Sequence, residues 1–114
     1  MTSHTDLLMH AKSLVESGWT QRYAAVSAEN YQVDPNDEEA CRWCLEGSLM
    51  NSFSRASASG GDLDLLLDVY YDARRALMKI IGSQDLVEWN DAKERTQEDV
   101  ILAFELTLLH EGVK

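Results

Sequence analysis

Apolar residues recur at helical spacing in four stretches of the chain. Leu7, Leu8, Ala11, Leu14 and Val15 share one face, which predicts a helix from about Asp6 to Ser17. Ser3 or Thr5 can cap it, Asp6 puts an acid in its first turn, and Gly18 is the expected left-handed stop. A second helix is expected to start at Asp34-Pro35, an N-cap followed by a proline in the first helical position, and to run to about Arg55. The breaker stretch Ser57-Ala58-Ser59-Gly60-Gly61 follows it. Asp62 caps a third helix, about Leu63 to Ile81, whose buried stripe is Leu63, Leu66, Leu67, Tyr70, Ala73, Leu77, Ile80 and Ile81. Thr96-Gln97-Glu98-Asp99 is a capping box opening the fourth, with Val100, Ile101, Phe104 and Leu108 inward and Gly112 beyond its end.

Two stretches break this period. Residues 19–33 carry Tyr23, Val26, Tyr31 and Val33, which favour extended structure, with a turn possible at Glu29-Asn30. Residues 85–91 are short and mixed. The expected fold is all-α: one domain, residues 1–114, resembling a four-helix bundle, with an irregular segment or small hairpin between the first two helices.

Composition adds compartment and charge. The 114 residues are 45% apolar, enough for a core without a disulfide or metal staple. No run of 18 apolar residues occurs, so no membrane span is expected, and the N-terminus lacks the basic and apolar regions of a signal peptide. The expected location is the cytoplasm. Twenty acidic residues against ten basic ones give a formal net charge of -10. Such a surface repels nucleic acid and anionic membranes and is attracted to basic surfaces. Acidity alone also keeps a protein soluble; the sharper reading is a protein that occupies a basic site on a nucleic-acid-binding partner.

Cys41 and Cys44 are the most chemical-looking pair. Placed on the second helix, they fall on the same side as Ala40, Leu45, Ser48 and Leu49, where cysteine acts as a small hydrophobe. A zinc site needs two more ligands, and His4, His10 and His110 are scattered near the termini. Redox use would want a strand leading into the pair. The pattern favours core cysteines, with no metal, no cofactor and no disulfide.

Gly18-Trp19-x-Gln21, Cys41-x-x-Cys44-x-x-Gly47-Ser48-Leu49, Trp89-Asn90-Asp91 and then Thr96 with the last apolar pattern follow in order. This arrangement resembles the short bacterial and phage proteins grouped as domain of unknown function 6197. That family's pattern runs G-W-x-Q-G, C-x-x-G-A, W-N-D and T-x-x-x-V. Arg22 stands where a glycine is usual and Ser48 where an alanine is usual. The resemblance covers nearly the whole chain and implies a bacterial or phage setting. The family carries no assigned activity, so no function is implied.

No phosphate loop, metalloprotease helix, nucleophile elbow or dinucleotide fingerprint occurs, and no catalytic residue is identified. Gln21, Asn90 and Asp91 are the candidate ligand-binding residues, if they meet near Cys44; equally, Trp89 plugs the core while Asn90 and Asp91 satisfy loop backbone. Asp64, Asp68 and Asp72 form an i, i+4, i+8 row, and such carboxylates could hold a divalent cation between two helices. That site would want a second acidic row or a His opposite, and the other acids form no such row on any one helix, so the row is read as a solvated face or the contact for a basic protein partner. Trp43, with Met50, falls on the other side of the second helix and joins the candidate partner surface. The expectation is a non-enzymatic binding or accessory module; the alternative is a small-ligand-binding protein or weak enzyme using the Trp-Asn-Asp pocket.

Overall fold

The computed structural model describes residues 2–113. Helix α1 spans His4–Ser17, and a capping box holds its start: Ser3 Oγ accepts from the Asp6 amide, and Asp6 accepts from the Ser3 amide. Gly18 ends it in an extended conformation, not the expected left-handed one. Glycine is required here for room: a Cβ would lie 2.3 Å from the Cys41 carbonyl oxygen.

Residues 19–33 do form a small hairpin. Strand β1 (Ala25–Val26) pairs antiparallel with β2 (Gln32–Val33), Ala25 opposite Val33. The turn closes through the Ser27 amide to Tyr31 O, with Asn30 at φ 68°. A third strand, β3 (Arg42–Trp43), pairs antiparallel with the other edge of β1, giving the order β2-β1-β3.

That strand overturns the expected start of the second helix. Asp34 and Asp37 do not cap a helix; their carboxylates accept from the Asn36 and Glu39 amides, two residues on, and so form Asx turns. The same residue types serve both purposes, and here the local turn wins because Trp43 and Arg42 find a strand to pair with. Helix α2 begins only at Leu45 and runs to Ala58. Cys44 is its N-cap and Cys41 lies in the turn before β3, so the cysteines are not on a helix face. The fold is therefore mostly helical with a three-stranded sheet, rather than purely α-helical.

Helix α3 (Leu63–Ile81) agrees with expectation: Asp62 caps it and Gly82 ends it at φ 69°. Residues 86–91 form a short helix, α4 (Leu86–Asp91), capped by Asp85, which makes five helices among the described residues where four were expected. Helix α5 (Gln97–His110) opens on the Thr96–Asp99 capping box. The core joins Leu7, Leu8, Ala11 and Val15 of α1 to Leu45 and Leu49 of α2, Leu66, Ala73 and Leu77 of α3, Leu86 of α4, and Val100, Ala103, Phe104 and Leu108 of α5. Leu63, expected in the stripe of α3, is exposed at the start of that helix. Among the described residues, no helix is long and apolar enough to cross a membrane.

Sheet and helices meet at Gly47, where an added Cβ would lie 1.9 Å from the Ala24 carbonyl oxygen. Gly47→Ala must push β1 away from α2, and we expect it to cost about 2–3 kcal/mol, as overpacking does. A urea midpoint unchanged from the parent would show that the sheet shifts freely against α2.

Candidate functional site

The turn after α1, the start of α2 and the end of α4 bring the Trp19/Gln21, Cys44/Leu45 and Asn90/Asp91 motifs to one place. Asn90, on the inner side of α4, is fully buried. Its Oδ1 accepts from Trp19 Nε1 at 2.7 Å and from the Leu45 amide at 3.1 Å. Its Nδ2 donates to the Thr20 carbonyl at 3.2 Å and to Asp91 Oδ1 at 3.0 Å. Both acceptor positions and both donors of the amide are thus used. Gln21 Nε2 donates to the carbonyls of Asn90 and Ala92 at 2.9 and 3.0 Å. Asp91 Oδ1 also accepts from the Arg22 amide at 2.9 Å. Arg22 sits at φ 75°, a left-handed conformation that costs a non-glycine residue about 1 kcal/mol and that glycine adopts freely.

Gln21, Asn90 and Asp91 therefore do meet, as the sequence reading required for a pocket. They meet as a clamp that ties the turn after α1 to the start of α2 and the end of α4. Among the described residues, no buried side-chain polar atom is left without a partner. Trp89 braces the outside: it is partly buried against the core, its carbonyl accepts from Arg95 Nε, and the Arg95 guanidinium lies 3.8 Å over its ring. Asn90, not the tryptophan, is the buried member of the motif.

A cavity of about 70 Å³ remains beside the clamp, lined by Arg22, Tyr23, Ala24, Cys44, Glu46, Val87 and Asp91. It is far below the roughly 300–1,000 Å³ of ordinary ligand sites. The Cys44 sulfur accepts from the Gly47 amide at 3.2 Å. Burial, helped by the nearby Asp91 and Glu46 carboxylates and opposed by its backbone hydrogen bonds, pushes the thiol up to about 11. It stays protonated near neutral pH and is a poor nucleophile. Cys41 and Cys44 are both free. Residues three apart on extended chain are separated by about 10 Å at the usual rise per residue, beyond the roughly 7 Å reach of a disulfide. Among the described residues, no three His, Cys, Asp or Glu side chains gather as a metal site would need.

The residues named for a partner divide. Asp64, Asp68 and Asp72 are exposed on the outer side of α3, where Asp72 pairs with Arg75. Leu65 and Tyr71, about half exposed, lie beside them. Trp43 is only 8% exposed, sits on β3 and donates its indole N–H to the Pro35 carbonyl, so it offers no surface to a partner.

A second polar cluster lies between α1 and α2 and was not identified from sequence, because its members are 42 residues apart. Ser52 Oγ donates to the Ser48 carbonyl at 2.8 Å, so its lone pair accepts from His10 Nδ1 at 2.7 Å. The recess of about 260 Å³ around them also holds Asp6 and Arg55. Ser52 is buried and its hydroxyl already bound, which leaves no nucleophile.

A family model described as a family of unknown function, DUF6197, matches residues 1–107. No curated protein and no solved structure matches the chain.

Asn90→Ala strips the acceptor from Trp19 Nε1 and the Leu45 amide, and should lose about 3 kcal/mol or more at roughly 1–3 kcal/mol per unsatisfied group. Asp91→Ala, which frees only the Arg22 amide and one donor of Asn90, should lose about 1 kcal/mol. Urea unfolding of both variants checks the order; an Asn90→Ala protein as stable as its parent refutes the clamp.

Burial, and then Arg55, hold the His10 imidazole below its ordinary value, so the native state favours neutral His10. The unfolded chain then binds more protons than the native one just below about pH 6.5, and stability falls as pH drops through that range. His10→Asn keeps a donor for Ser52 without the titration. Its melting temperature should fall less than the parent's between pH 7.5 and pH 5.5, both about a unit either side of that value; parallel pH curves would remove His10 as the cause.

Proposed function

We propose that this chain, which belongs to DUF6197, a family of unknown function, is a non-catalytic binding module that engages a basic protein surface through the outer side of α3. The observation that carries this reading is the exposed row Asp64, Asp68 and Asp72 with Leu65 and Tyr71 standing half exposed beside it. Carboxylates around two apolar anchors suit a basic partner with an apolar centre, which charge steers into place. The formal net charge of -10 strengthens that steering and works against direct nucleic-acid binding. No catalytic residue is assigned, because the polar motif residues are occupied by one another and the buried thiol is protonated. The same facts weigh against a ligand pocket at Gln21, Asn90 and Asp91. The setting we propose is the cytoplasm of a bacterium or of a phage-infected cell, where the module acts as an accessory protein.

Capture from a native lysate at low and high salt, with the parent and with the Asp64→Lys/Asp68→Lys variant, tests this. The parent should recover a basic protein at low salt and lose it at high salt, and the variant should recover none at either. Equal recovery by the two proteins sinks the proposal, and a melting temperature raised by a small metabolite, with no protein recovered, replaces it with the ligand-binding reading.

A further inference from the structure

Helix α5 is apolar on almost every side: Val100, Ile101, Leu102, Ala103, Phe104, Leu106, Leu108 and Leu109 all fall within its 14 residues. A helix of that kind is ordinarily covered all round. Here only one side is: Val100, Ala103, Phe104 and Leu108 are in the core, while Leu102, Leu106 and Leu109 are 51%, 44% and 62% exposed. At i, i+4, i+7 spacing the three form one outward ridge. Beside the ridge, between α5 and α1, runs a groove of about 420 Å³ lined by Met9, Lys12, Glu105, Leu108, Leu109 and Val113. Ridge and groove thus share one face, with an acid and a base in the groove wall.

We propose that this face is a two-fold interface between two copies of the chain. A two-fold axis through the centre of the ridge sets the α5 helices antiparallel. It packs Leu102 against the partner's Leu109 and Leu106 against its own copy. It also turns α1 of each copy toward the same flank of the interface, which brings Lys12 beside the partner's Glu105. Self-complementary packing of this kind is what closed dimers require. Antiparallel α5 helices also set the positive end of each macrodipole against the negative end of the other. The charge pattern selects a second copy over the basic partner of α3, since the ridge carries no charge and the groove wall carries one of each sign. The size fits a weak, concentration-dependent dimer: α1 and α5 are 14 residues each, about 21 Å long and about 8–10 Å apart, so the two-helix face spans about 400 Å² in plane, roughly half of the 800 Å² per partner of a stable dimer. This inference is independent of the α3 reading, because it uses a different face and a different partner.

Sedimentation of the full chain from micromolar to near-millimolar concentration tests it. The parent should show twice the chain mass at the upper end. Leu106→Glu should weaken association at least ~tenfold, equivalent to one hot-spot leucine, and should leave the circular dichroism unchanged because the residue faces outward. Lys12→Glu should weaken it less, and Lys12→Glu combined with Glu105→Lys should restore it. A parent that stays monomeric over the whole range, a dimer indifferent to Leu106→Glu, or a charge-exchanged variant no tighter than Lys12→Glu each overturns the proposal.

Discussion

Asn90 stands where three distant segments must meet, and its amide has no water to turn to. Trp19 and Thr20 come from the turn after α1, Leu45 from the start of α2, and Asp91 from the end of α4. Each buried polar group left unpaired costs about 1–3 kcal/mol, so the amide is only tolerable if all three segments arrive together. Once they do, much else follows. Leu45 held by Asn90 places the first turn of α2. Gly47 in that turn then touches the Ala24 carbonyl and seats the sheet. Gly18, one residue before the clamp, lets β3 approach closely enough for Trp43 N–H to reach the Gly18 carbonyl.

This use of polar residues shapes what the molecule has left for function. An amide, a glutamine and a carboxylate in one place suggest a ligand site, yet the Asn90 amide is fully used, and Gln21 Nε2 and Asp91 Oδ1 are spent on backbone and on Asn90. A cross-link away from the clamp, Glu46 with Arg74 and Tyr70, is structural in the same sense, tying α2 to α3. Among the groups that face water are the carboxylates of α3 and the outer leucines of α5. Acids dominate the outside of α3, where Leu65 stands among them, while three leucines form the outer ridge of α5 with Glu105 at its flank, so charge repulsion that discourages self-association is weaker along the α5 ridge.

How far the sequence could be read depended on the range of the interaction involved. The α3 limits and the α5 capping box were legible because cap, first-turn acid and stop glycine act within a few residues of one another. Gly18 was correctly singled out for the wrong reason: it ends α1, but what demands glycine is the Cys41 carbonyl, 23 positions later. The outer leucines of α5 were in plain view as an excess of apolar positions over one helical face, a signal that marks a covered surface without saying what covers it.

By itself the sequence determined the periods of α1, α3 and α5, the Asp62 and Thr96 caps and the family pattern, since each rests on neighbours three or four positions apart or on residue order alone. Residues 19–33 stayed open between an irregular segment and a hairpin, because Ala25 pairs with Val33, eight positions on. The second helix shows the limit of that logic. Asp34, Pro35 and Asp37 are equally good as a helix start and as consecutive Asx turns, and no local term separates the two. Only the tertiary structure decided it, by giving Arg42 and Trp43 a strand to pair with in β1 and giving the Leu45 amide an acceptor 45 residues away in Asn90. Which partners Gln21, Asn90 and Asp91 use was decided in the same way, because those partners come from segments far apart in sequence and are brought together by the fold.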